Sequence, residues 1–74
     1  MRISYDKQID ALAIVFRDTT VTTEEVADGI SMEYDADGKL AGIEILDAMK
    51  RFADKDTLDK ITFEGVGPAH RAAA

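Results

Sequence analysis

The chain has seventy-four residues, nine Lys or Arg against fifteen Asp or Glu, no cysteine and a formal charge of −6, which describes one small acidic domain. The lack of cysteine removes disulfides and thiolate metal sites, and no apolar run approaches the roughly 18 residues that a membrane span requires. Nucleic-acid binding wants a basic patch, because neutralised phosphates release counterions; the only adjacent cations here are Lys50 and Arg51.

The elements follow in chain order. Ile3 and Tyr5 alternate with Arg2 and Ser4, the two-residue period of a half-buried strand. Asp6-Lys7-Gln8-Ile9-Asp10 is a polar connection whose aspartates can cap their own turns. Leu12, Ile14 and Phe16 then share one face, while Ala11, Ala13 and Val15 share the other without any charge. A strand apolar on both faces belongs inside a sheet, covered by a helix or a second subunit. Val21–Val26 is Thr-rich and carries Glu24 and Glu25, which suits an exposed edge whose charges discourage aggregation. Asp28-Gly29 marks a tight turn. Ile30, Met32 and Tyr34 alternate before Asp35-Ala36-Asp37-Gly38, a type I turn with Gly38 in the left-handed position.

The return strand breaks its own parity, because Leu40 is out of phase with Ile43 and Ile45. A β-bulge at Ala41-Gly42 would restore it; the alternative is that Leu40 packs on the opposite face. After Ile45 the period becomes helical: Leu46, Met49, Phe52 and Ala53 recur at three- and four-residue spacing behind Asp47 as N-cap. Lys50 and Arg51 fall near the helix end, where cations suit the dipole. Leu58–Lys60 reads as a further turn capped by Asp56, and Ile61–Glu64 as an additional C-terminal strand closed by Gly65 and Gly67-Pro68. The expected architecture is α+β: an antiparallel meander of four to five strands and one short helix, a single domain over residues 1–68 with a tail over 69–74.

Several patterns mimic chemistry. Counted from Glu33, the residues Glu33, Asp35, Asp37, Gly38, Leu40 and Glu44 imitate a calcium loop. The flanks alternate as strands rather than helices, and a Glu stands where that loop begins with Asp. An ordinary turn, or a weak ion contact at Asp35 and Asp37, is the reading left. Glu33 and Glu44 point to the face opposite Ile30, Met32 and Tyr34, where two carboxylates could do acid–base work only if burial separated their pKa values. Solvated surface charge is the simpler account. His70 is the sole histidine and lies in the tail, so a triad or multi-histidine metal site is excluded. Ser4 and Ser31 read as strand residues. Gly65-Val66-Gly67-Pro68 has the wrong spacing for a phosphate loop, and Pro68 lacks the N–H that a phosphate would need. No catalytic, metal or cofactor-binding residue is assigned, and the chain does not read as an enzyme.

Ordered matches join these elements. Tyr5-Asp6, Asp10-Ala11-Leu12, Thr23-Glu24-Glu25-Val26, Asp28-Gly29-Ile30, Tyr34-Asp35-Ala36-Asp37-Gly38 and Gly42-Ile43-Glu44-Ile45-Leu46-Asp47-Ala48 resemble the small bacterial family known as domain of unknown function 2283. The resemblance covers about residues 1–52; Lys7 and Ala13 depart from it, where Pro and a larger residue are common. It implies a compact meander ending in a helix and supplies no activity. Family relatives look as if they sit beside small toxin-like nucleases in some genomes, so the resemblance makes an antitoxin-like role one form the expected interaction could take.

A core of this size rarely supplies more than about 3–5 kcal/mol, and without disulfides or metal the remaining staple is oligomerisation. The bare Ala11, Ala13 and Val15 face is the expected seam, and a homodimer the first expectation. The function expected is therefore a homo-oligomeric protein-interaction module with an acidic surface suited to a basic protein partner. The alternative is a small-ligand or divalent-cation binder using Asp35, Asp37 and outer-face carboxylates. Met1–Tyr5 enters a strand directly, so no signal peptide is expected and the location expected is cytoplasmic.

Overall fold

Five strands and one helix form the molecule, as seen in a computed structural model that describes residues 1–54, 56–65 and 67. The strands are β1 (Arg2–Asp6), β2 (Ala11–Val15), β3 (Thr22–Ala27), β4 (Ile30–Tyr34) and β5 (Leu40–Leu46), and the helix is α1 (Ala48–Phe52). The sheet is antiparallel throughout in the order β1-β2-β5-β4-β3. The expected α+β class holds. Its connectivity is a hairpin of β1 and β2 joined to a meander of β3, β4 and β5, so the chain crosses from β2 to the far edge before returning. The strand with two apolar faces, β2, is interior, and the Glu24-Glu25 strand, β3, is an edge, as their compositions require.

Register explains the hydrophobic pattern. Opposed residues in an antiparallel pair project to one side. Tyr5, Leu12, Ile45 and Ile30 therefore form one row, and Ile3, Ile14, Ile43 and Met32 the next, ending on Glu24 of β3. Tyr34 pairs with Leu40, whereas Glu33 pairs with Gly42, which leaves Ala41 unmatched. That is the bulge at Ala41-Gly42. It returns Leu40 to the face of Ile43 and Ile45. A second irregularity lies between Glu25 and Ala27 on β3, and no parity break in Val21–Val26 signalled it.

Turns follow their side chains. Asp6 accepts from the amide of Gln8 at 2.9 Å, so the first connection is self-capped. Asp35 accepts from the amides of Asp37 at 2.9 Å and Lys39 at 2.8 Å, and Gly38 is left-handed. Gly29 closes the β3–β4 turn at φ +81°, and a Cβ there would collide with the Arg51 guanidinium. Arg51 in turn donates to the carbonyls of Leu46 and Asp28. Gly29→Ala is expected to cost about 1–2 kcal/mol in backbone conformation alone, with more from displacing Arg51. Chemical denaturation would read this as a lower midpoint at unchanged m-value.

Four expectations change beyond Ile45. Leu46, counted above with the helical period, ends β5 and pairs with Ala11 on the opposite side from Ile45. Asp47 occupies the N-cap position but is itself left-handed, with φ 53°, and its side chain makes no cap bond. Residues 56–59 form turns, not a helical turn; here Asp54, not Asp56, does the side-chain capping, accepting from the amide of Asp56 at 3.0 Å. The strand expected at Ile61–Glu64 is absent. Its alternation has no neighbour to pair with, and Phe63 is 87% exposed. The tail over 69–74, like Pro68, lies outside the described residues.

Candidate functional site

Asp10 is the residue on which the described structure converges. It ends the β1–β2 connection in a left-handed conformation (φ 54°), which an aspartate tolerates better than most residues. Its carboxylate accepts from the Tyr5 hydroxyl at 2.6 Å and from the Met49 amide at 2.9 Å, and its carbonyl accepts from the Ala48 amide at 3.0 Å. The Ala48 and Met49 amides at the start of α1 thus find their acceptors in a residue remote in the chain. The cap expected at Asp47 is supplied by Asp10. Local sequence held no signal for this, because the capping aspartate is remote in the chain.

These bonds set the charges. The Tyr5 hydroxyl, and then the Met49 amide, hold the Asp10 carboxyl below its ordinary value of 3.8. The same hydrogen bond to Asp10 raises the Tyr5 phenol above 10.0. Met49, Tyr5 and Lys7 line a depression of about 270 Å³ together with Leu58 and Asp59. The helix therefore sits across the loop end of the sheet, tied by Asp10 to the β1–β2 connection and by Arg51 to the β3–β4 turn.

The face opposite the isoleucine rows is polar. Ser4, Ala13, Glu44, Ser31 and Glu25 form one row, and Arg2, Val15, Gly42, Glu33 and Thr23 another. Glu33 and Glu44 do share this face, as their parity requires, and no hydrogen bond joins them to each other or to Ser31 among the described residues. The Glu33 carboxylate lies over Gly42, where a Cβ would stand 2.6 Å from Oε1 and 3.1 Å from the Ile14 carbonyl. A wide, open depression of about 560 Å³ next to Ser4, Asp6, Lys7, Ala13 and Glu44 lies on the same side. Ala11, Ala13 and Val15 therefore make an apolar strip one strand wide between charged neighbours. The larger apolar rows lie on the other side.

The Asp35 carboxylate is occupied by the protein itself. Asp35, whose side chain is 8% exposed, accepts from two turn amides and pairs with Arg17. The Lys39 amide first, and then Arg17, lower its carboxyl below 3.8. A divalent ion there would have to displace a guanidinium and break the turn. Glu44 lies on β5 across from Ser31, remote from the tip, so the calcium-loop resemblance is one of spacing alone. Among the described residues no group of three acidic or histidine side chains is placed to hold a metal. His70 is outside them. No helix among them is long and apolar enough to cross a membrane.

The architecture so defined is a small α+β module: an open five-stranded antiparallel sheet tied at its loop end by a short helix, with one apolar and one acidic face. A family model described as protein of unknown function (DUF2283) matches residues 2–48, from the start of β1 to the first residue of α1. The chain belongs to that family. No curated protein and no solved structure matches it.

Proposed function

We propose that this protein is a homo-oligomeric interaction module, in the first instance a dimer, that acts by binding another protein and carries no catalysis of its own. The observation that carries this reading is the missing core. No large side chain among the described residues is fully buried; the buried apolar positions are Ala11, Leu12, Ala41 and Ala48. Three of those four are alanines. A domain that leaves Ile3, Phe16 and Leu40 exposed and its central isoleucines only partly buried gains stability by covering them against another surface.

The acidic face supplies the second half of the proposal. Glu25, Glu33 and Glu44 lie in neighbouring rows of a chain whose charge is −6, a surface complementary to a basic protein. An antitoxin-like pairing with a small basic nuclease in the cytoplasm is the specific form this takes. Sedimentation velocity across micromolar to submillimolar concentration is expected to show a dimer, and a monomer throughout would overturn the oligomeric reading. Co-expression with the product of an adjacent gene encoding a small basic protein is expected to give a salt-sensitive complex. Failure of that purified pair to associate at low salt would remove the partner reading.

A further inference from the structure

We infer that residues 60–64 are a strap poised to close on the β1 edge of their own sheet as a sixth antiparallel strand, and that its opening decides whether another chain can add there. The strap belongs to the single chain and is independent of self-association.

β1 is one of the two outer strands of the sheet, and four of its five residues are exposed. An unpaired edge is a template for a further strand, and the stretch that follows Asp59 is placed to supply it. Leu58 and Asp59 line the same depression as Tyr5 and Lys7, so the chain reaches residue 60 at the end of β1 that an antiparallel strand would enter. From there residues 60–64 run without strand pairing among the described residues, with Ile61 61% and Phe63 87% exposed.

One register suits both faces. Lys60 opposite Asp6 sets Ile61 against Tyr5, Thr62 against Ser4, Phe63 against Ile3 and Glu64 against Arg2. Ile61 and Phe63 then extend the two apolar rows that start at Tyr5 and Ile3, and each end of the strap brings opposite charges together. Arg2 already donates to Asp18 at 3.1 Å, and its guanidinium has further N–H groups for a second carboxylate. A slip of two residues loses both charge pairs, and a slip of one turns Ile61 and Phe63 to the polar face. The other outer strand, β3, is a poorer match: Ile61 or Phe63 would meet Glu24 there, and β3 lies four strand spacings, about 19 Å, from β1. The closed form is a second conformation in exchange with the open one. It covers Ile3 and occupies the backbone groups that a strand-adding partner would use.

Ser4→Cys combined with Thr62→Cys tests the register in a chain that otherwise lacks cysteine, at two exposed positions. Directly opposed strand residues lie within disulfide reach. In a glutathione redox buffer the full chain should form an intramolecular disulfide, seen as a faster-migrating monomer on a non-reducing gel. It should form at least roughly tenfold faster than in Thr23→Cys combined with Thr62→Cys, which probes β3. Adding Phe63→Ser to the first pair should slow closure about two- to fivefold, the worth of one cross-strand contact, with the far-ultraviolet spectrum unchanged. Equal rates for the two pairs would mean an unattached tail and overturn the strap, as would the absence of any disulfide. A disulfide that joins two copies would give the strand to a neighbouring molecule and overturn its assignment to its own sheet. A closure rate indifferent to Phe63→Ser would overturn the register.

Discussion

Leu12→Ala is expected to unfold most of the protein at low micromolar concentration. Leu12 is the only large side chain in the buried set, 5% exposed, and sits in the row Tyr5-Leu12-Ile45-Ile30 on an interior strand. Truncating a buried leucine costs about 2–5 kcal/mol. A single core of this size rarely supplies more than about 3–5 kcal/mol, so the loss is comparable with the whole stability of one protomer. In the dimer proposed above, association would add stability that depends on protomer concentration. The variant's unfolded fraction should therefore fall as concentration rises, with circular dichroism reporting both. Ile61→Ala, at a position 61% exposed in the irregular C-terminal stretch, should leave stability within about 0.5 kcal/mol of wild type. A Leu12→Ala protein that melts like wild type would mean that the protomer's core lies elsewhere.

How much of this was legible in the sequence follows from the range of each interaction. Period-two alternation is local, so the strands over residues 2–46, the edge placement of β3 and the turn at Asp35–Gly38 could be read directly. The bulge was legible for the same reason: Leu40 and Ile43 disagreed in parity within a few residues. Sheet order was not, because nothing in the stretch between Val15 and Thr22 says that β3 crosses to the far edge. The helix was right in kind and in its N-cap position, and wrong in counting Leu46 with the helical period. Leu46 fits both a helical face and a strand end, and pairing with Ala11 decided for the strand. Ala11, Ala13 and Val15 look bare when β2 is considered alone. Only the register brings Ser4, Glu44, Glu33 and Arg2 beside them and gathers the isoleucines on the other face. At Ile61–Glu64 alternation was present without a partner strand, and alternation alone does not make a strand.

Asp10→Ala is expected to lower the melting temperature further than Gly29→Ala, since it combines three losses at one position. The left-handed backbone at Asp10 is less tolerable for alanine, the Met49 amide loses its cap, and the Tyr5 hydroxyl loses its acceptor. Asp47→Asn should be close to neutral, because Asp47 makes no cap bond and asparagine accepts the same backbone. The pair of variants thus separates the remote cap from the local one. pH dependence provides an independent reading. The Asp10 and Asp35 carboxyls are both held below 3.8 in the folded chain. Each then contributes stability that is present above that value and lost as pH falls through the lowered one. Tyr5 works in the opposite sense: its phenol is raised above 10.0, so its contribution is complete below pH 10.0 and lost as pH rises through the raised value. Asp10→Asn should flatten the acid limb of the stability profile and, by removing the negative acceptor, weaken the alkaline limb as well. Asp35→Asn should flatten the acid limb alone. An Asp10→Asn profile that changes only below pH 4 would separate Tyr5 from Asp10 and leave the cap as the single role of that carboxylate.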